Sequence, residues 1–101
     1  METSIERNGE ELLVTLQGRL DTTTSPEAEK LIFENLNGVS HLILEFENLR
    51  YISSSGLRVL LSAQKKLIQN HATMTILHAN ELIMEIFEAT GFLDIFEIKN
   101  D

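Results

Sequence analysis

Hydrophobic positions along the chain alternate between two spacings, and each change of spacing marks a new element. Residues 2–6 form a weak β segment, and Asn8-Gly9 offers a turn. Leu12-Leu13-Val14-Thr15-Leu16 then reads as a strand that Gly18 ends. The loop Arg19-Leu20-Asp21-Thr22-Thr23-Thr24 follows. Ser25-Pro26-Glu27 predicts a helix start. Ser25 would accept a bond from an orphan N–H, Pro26 suits the first helical position, and Glu27 complements the positive end of the dipole. Ala28, Leu31, Ile32 and Leu36 fall on one face of this helix, and Asn37-Gly38 closes it.

His41-Leu42-Ile43-Leu44-Glu45-Phe46 is a nearly continuous apolar run, the pattern of a strand covered on both faces. Residues 47–52 read as a connection to Ser53-Ser54-Ser55-Gly56. A helix begins within the serines and runs to about Asn70, with Leu57, Leu60, Leu61, Gln64, Leu67 and Ile68 as its inward stripe. Arg58, Lys65, Lys66 and Gln69 are left for water. Residues 72–77 predict a strand. Asn80 caps a third helix carried by Leu82, Ile83, Ile86 and Phe87, which stops near Gly91. Residues 95–98 supply a last short strand.

The resulting order is ββαβαβαβ. Strands separated by helices favour right-handed crossovers and parallel pairing, and the opening hairpin adds an antiparallel edge. The expected fold class is α/β, a mixed β-sheet with helices packed on it. No stretch reads as a linker, so residues 1–101 are expected to form one domain.

Composition narrows the function more than the fold. The chain has 16 acidic and 8 basic residues, a formal net charge of −8. Such a surface repels a phosphate backbone, which argues against direct nucleic-acid binding, and it repels anionic lipid as well. No apolar run approaches the ~20 residues that span a bilayer, so no membrane insertion is expected. The absence of cysteine removes thiolate metal sites and cysteine nucleophiles. His41, His71 and His78 share no ligand spacing on one helix, so neither a metal nor another cofactor is expected. No nucleophile–base set emerges, which argues against an enzyme. Residues 1–7 carry no apolar core of a signal peptide, and the expected compartment is the cytoplasm.

One motif remains. Ser53-Ser54-Ser55-Gly56 lies between an apolar strand and an amphipathic helix. One serine there would serve as a helix cap, but three exceed what capping needs. Gly56 lacks a side chain where close approach by a partner would be easiest. A phosphoryl group at this point would meet unpaired N–H groups and the helix dipole.

Leu42 to Leu57, ending in Tyr51-Ile52-Ser53-Ser54-Ser55-Gly56-Leu57, resembles the central signature of STAS domains, the family of bacterial anti-sigma-factor antagonists. Gly18-Arg19-Leu20-Asp21 looks like the family's Gly-Glu-Leu-Asp turn, and Thr90-Gly91-Phe92 is similar to its C-terminal Thr-Gly-Leu segment. The resemblance covers nearly the whole chain. It implies a partner-switching regulator that binds an anti-sigma factor, often itself a serine protein kinase, and so controls sigma-factor-dependent transcription. Phosphorylation by that kinase would release it, and a PP2C-type phosphatase would reset it. Matched residue by residue, the acceptor falls on Ser54, with Ser53 and Ser55 as alternatives. The implied partner-contact set is Asp21, Thr22, Ser53, Ser54, Ser55, Gly56, Leu57 and Arg58. The family's Asp before the acceptor is Ser53 here. That departure leaves a second reading open: a STAS module of a transporter-associated or other regulatory complex, docking without a phosphorylation cycle.

Overall fold

The computed structural model describes residues 1–100. Strands β1 (Glu2–Asn8) and β2 (Glu11–Leu20) form the opening hairpin. Helix α1 (Ser25–Glu34) leads to β3 (His41–Glu45) and β4 (Leu49–Ile52). Helix α2 (Ser54–Gln69), β5 (Thr73–Leu77), α3 (Glu81–Thr90), a 3-10 turn over Phe92–Asp94 and β6 (Glu97–Lys99) complete the chain. The six strands form one mixed sheet in the order β1-β2-β3-β5-β6, with β4 paired to β2. Only β1 is antiparallel to its neighbour. The pattern-based order therefore holds with one strand added.

That added strand lies in residues 47–52, which read as a connection because the strand has only four residues and their burial does not alternate. Leu49 and Ile52 point into the core, while Arg50 is exposed. Space for β4 comes from β2, the longest strand at ten residues. Its first half pairs with β3 and its end pairs with β4. The register shifts between Gly18 and Arg19, and Gly18 has φ +98°, a conformation that only glycine adopts cheaply. The Gly18 N–H donates to the Asn48 carbonyl at 2.9 Å, which fixes the hand-over from one partner strand to the next.

The core lies between the sheet and the helices. Leu12, Val14 and Leu16 of β2, Leu42 and Leu44 of β3, and Ile76 of β5 are all buried on it, with Ala28, Ile32, Leu60, Ala63, Leu67, Ile83 and Phe87 supplied by the helices. Each fully buried Leu, Ile or Phe contributes about 1.5–3 kcal/mol relative to exposure. The expectation that β3 is covered on both faces does not hold: its burial alternates, and His41, Ile43 and Glu45 are half-exposed. The cause is topological. The chain steps from β2 to β3 to β5 to β6 in one direction, and right-handed crossovers then place their helices on the same face. The other face carries a polar network instead, in which Thr75 Oγ1 donates to Glu97 Oε1 at 2.9 Å.

Helix termini depart from the pattern in three places. Thr24, not Ser25, is the N-cap of α1, and Ser25 is buried with its Oγ donating to the Asp21 carbonyl at 2.6 Å. The helix closes at Asn35, short of Asn37-Gly38, because the Asn35 N–H already turns back to the Ile32 carbonyl. On α2 the inward stripe is Gly56, Leu57, Val59, Leu60, Ala63 and Leu67, whereas Ile68 is 61% exposed. Small residues at 56 and 63 carry the close packing, which an inspection for large apolar side chains passes over. Asn80 caps α3 as expected, accepting from the Ile83 N–H at 2.8 Å, and Gly91 ends it at φ +82°. Among the described residues no helix is long and apolar enough to cross a membrane.

Candidate partner-docking site

Two turns meet at the carboxyl ends of β2 and β4. Residues 21–24 follow β2, and residues 53–55 follow β4 and open α2. They are tied together at three points. The Ser53 N–H donates to the Leu20 carbonyl at 2.9 Å, which continues the β2–β4 pairing by one bond. Thr22 Oγ1 and Ser55 Oγ lie 3.3 Å apart. Gly56 seats the first turn of α2 directly against Leu20 and Ile52.

The three serines have different tasks. Ser53 is the N-cap, in extended conformation, and its Oγ accepts the Gly56 N–H at 3.3 Å. Ser55 is half-buried and shares its hydroxyl with Thr22. Ser54 occupies the first helical position, is exposed, and its hydroxyl makes no hydrogen bond among the described residues. The N–H groups of the first turn have no intrahelical acceptor and present the positive end of a 16-residue helix. Glu27 and Glu81 offset that charge in α1 and α3, but the first turn of α2 holds no acidic residue. Having Ser53 where the related motif has Asp is what leaves this end uncompensated.

Replacing Ser53 with alanine removes the cap alone. The expected loss is about 1 kcal/mol of stability, read from chemical denaturation, with the serine-bearing turn otherwise in place.

Asp21 does not face the serines. Its Oδ1 accepts the Thr23 N–H at 3.0 Å and the Thr24 N–H at 3.2 Å, and its Oδ2 lies 3.6 Å from Arg19 Nε. The Thr24 backbone bond is the main reason its carboxyl titrates below the usual carboxylate value. Asp21 therefore shapes the loop that presents Thr22. Arg19 is in turn stacked over the Tyr51 ring at 4.4 Å. A shallow groove of about 240 Å³ runs from Thr22 and Ser25 past Pro26 and Glu29 to Ser55, Arg58 and Val59.

Of the eight residues expected to meet a partner, Thr22, Ser54 and Arg58 are exposed and Asp21, Ser53 and Ser55 are half-buried. Leu57 and Gly56 are buried. Leu57 is 5% exposed and belongs to the core. Gly56 is buried, and the close approach its missing side chain permits is by Leu20 and Ile52 of the same chain. Pattern reading also passed over Ser25, Pro26 and Glu29, because nothing in the sequence pairs the start of α1 with that of α2.

Elsewhere, Glu45, Glu47 and His78 place ligand-type atoms within 4.8 Å of one another. His78 Nδ1 lies 2.7 Å from Glu45 Oε2, an ordinary His–carboxylate contact. Spacing along one helix could not reveal this group, which joins the end of β3 to the residue after β5.

Residues 2–101 match the family model of the STAS domain. An anti-sigma-B factor antagonist of Staphylococcus aureus is 31% identical over 87 residues, covering 85% of this chain and 81% of that protein. The unphosphorylated form of the anti-sigma factor antagonist SpoIIAA superimposes with a TM-score of 0.84 at 20% identity, covering 99% of this chain and 88% of the other. The phosphorylated form of the Bacillus cell fate determinant SpoIIAA gives 0.80 at 19% identity, over 99% and 91%. The fold and the match along nearly its whole length place this chain in the STAS domain family, among relatives named as anti-sigma factor antagonists.

Proposed function

We propose that this protein is an anti-sigma factor antagonist that works by partner switching. In its unmodified form it docks on an anti-sigma factor through the start of α2 and the neighbouring residues 21–24. Docking occupies the anti-sigma factor and frees the sigma factor. The anti-sigma factor, acting as a serine kinase, then moves the γ-phosphoryl group of ATP to Ser54 Oγ. ADP leaves, and the hydroxyl proton passes to a base on the kinase. A PP2C-type phosphatase transfers the group to water, returning serine and inorganic phosphate. The cycle consumes ATP and belongs in the cytoplasm. The protein itself catalyses nothing and needs no cofactor.

One observation carries this reading. Ser54 has an exposed hydroxyl with no hydrogen-bond partner among the described residues, at the start of a long helix with no acidic residue in its first turn. A phosphoryl group there finds N–H donors and a favourable dipole, so the fold tolerates it. A partner packed on the same spot does not, unless it supplies cations, because burying an unpaired charge costs several kcal/mol.

The test is incubation with the cognate anti-sigma kinase and ATP, followed by mapping of the phosphate by mass spectrometry. One phosphate on Ser54 is expected. Modification confined to Ser53 or Ser55 would move the acceptor, and no modification together with no binding would end the reading.

A further inference from the structure

A phosphoryl group on Ser54 needs more than a helix terminus to be held, and one side chain nearby is uncommitted. Arg58 is exposed, and among the described residues it makes no hydrogen bond or ion pair. It stands four positions after Ser54 on α2, the spacing at which helix side chains are neighbours on one surface. Helical side chains lean toward the N-terminus, a direction that brings a side chain at position 58 toward the first turn. Arg58 lines a groove with Thr22 and with Ser55, the residue next to Ser54. The other arginine near these turns, Arg19, is already held by Asp21 and the Tyr51 ring. Glu29 of α1 lines the same groove but forms no ion pair with Arg58.

We propose that Arg58 is the counter-ion, within the same molecule, of a phosphoryl group carried by Ser54. The guanidinium presents a planar fork of N–H donors that fits phosphate oxygens, and five such donors on one side chain outnumber what the first-turn N–H groups offer alone. Arg58 thereby holds the modified helix start in one arrangement and occupies a cation that the unmodified protein offers to its surroundings. This inference rests on the reading of Ser54 as the acceptor.

The experiment separates the two. Phosphoserine is incorporated at residue 54 by codon reassignment, so no kinase is needed, and the phosphate is titrated by phosphorus NMR in the full chain. A guanidinium in contact stabilises the dianion. The midpoint should therefore lie about half a pH unit lower in the otherwise native protein than in Arg58→Gln, the size expected of an exposed charge pair. Among the charged side chains around these turns, Arg58 of α2 and Glu29 of α1 line the groove, while Arg19 at the end of β2 and Asp21 after it pair with each other, and only Arg58 differs between the two proteins. Arg58→Lys keeps the charge and should recover part of the shift. Equal midpoints in the native and Arg58→Gln proteins would overturn the proposal even if a kinase does modify Ser54. A clear shift without any modification by the kinase would instead uphold Arg58's chemistry and remove Ser54 from the regulatory cycle.

Discussion

Gly56→Ala should destabilise this protein, although alanine is the better helix former. In a helix interior the change from glycine to alanine gains about 1 kcal/mol. Here the added Cβ would sit 2.7 Å from Ile52 Cγ1, 2.8 Å from the Leu20 carbonyl oxygen and 2.9 Å from Leu20 Cγ. All three are closer than van der Waals contact allows. The carbonyl cannot retreat, since it accepts the Ser53 N–H at 2.9 Å and forms the end of β2. Overpacking of this kind costs typically 1–3 kcal/mol, and more where backbone blocks the shift. The expected net loss is about 2 kcal/mol, which lowers the melting temperature by roughly 10 °C in a domain this size. Thermal unfolding followed by circular dichroism checks it. A melting temperature equal to or above that of the native protein would mean that α2 does not start against Leu20 and Ile52 as described.

The second large effect is on binding rather than stability. Ser54→Asp adds a carboxylate at the first position of α2, where it complements the dipole and should raise stability by about 0.3–1 kcal/mol. Binding to the anti-sigma factor should nevertheless fall by roughly 100-fold. A charge buried without a partner costs several kcal/mol, and each 1.4 kcal/mol is a tenfold change. Ser54→Ala removes a hydroxyl that has no partner within the described chain, so its affinity should stay near the native value. The pair of variants dissociates folding from docking: the aspartate variant is the more stable and the weaker binder. Similar affinities for the two variants would show that charge at this position does not govern docking.

Strand and helix identities were legible wherever apolar spacing was long and regular, as in β2, α2 and α3. Asn80 and Gly91 mark the ends of α3 because capping and left-handed turns demand particular chemistry at single positions. What stayed hidden has a common cause: it depends on contacts between segments far apart in sequence. β4 exists because β2 is long enough to hand over its edge at Gly18. The half-open face of β3 follows from the direction in which the strands are added, which no local pattern in residues 41–46 reports.

The site divides in the same way. Three serines before an amphipathic helix announced a helix start with hydroxyls to spare. Their separate tasks emerged only with Thr22 beside Ser55 and Gly56 beside Ser53. Leu57 falls on the inward stripe by its spacing and is buried there, and only the family resemblance implies a partner contact for it. Asp21 is an acid close to the serines in the fold, but its carboxylate is spent on its own turn.

The decisive measurement is calorimetric titration of the cognate anti-sigma factor with two preparations of the chain, one bearing serine and the other phosphoserine at residue 54. If negative charge at the tip of α2 selects the partner, the serine form binds and the phosphoserine form is at least about tenfold weaker. Equal dissociation constants for the two preparations would contradict the switch.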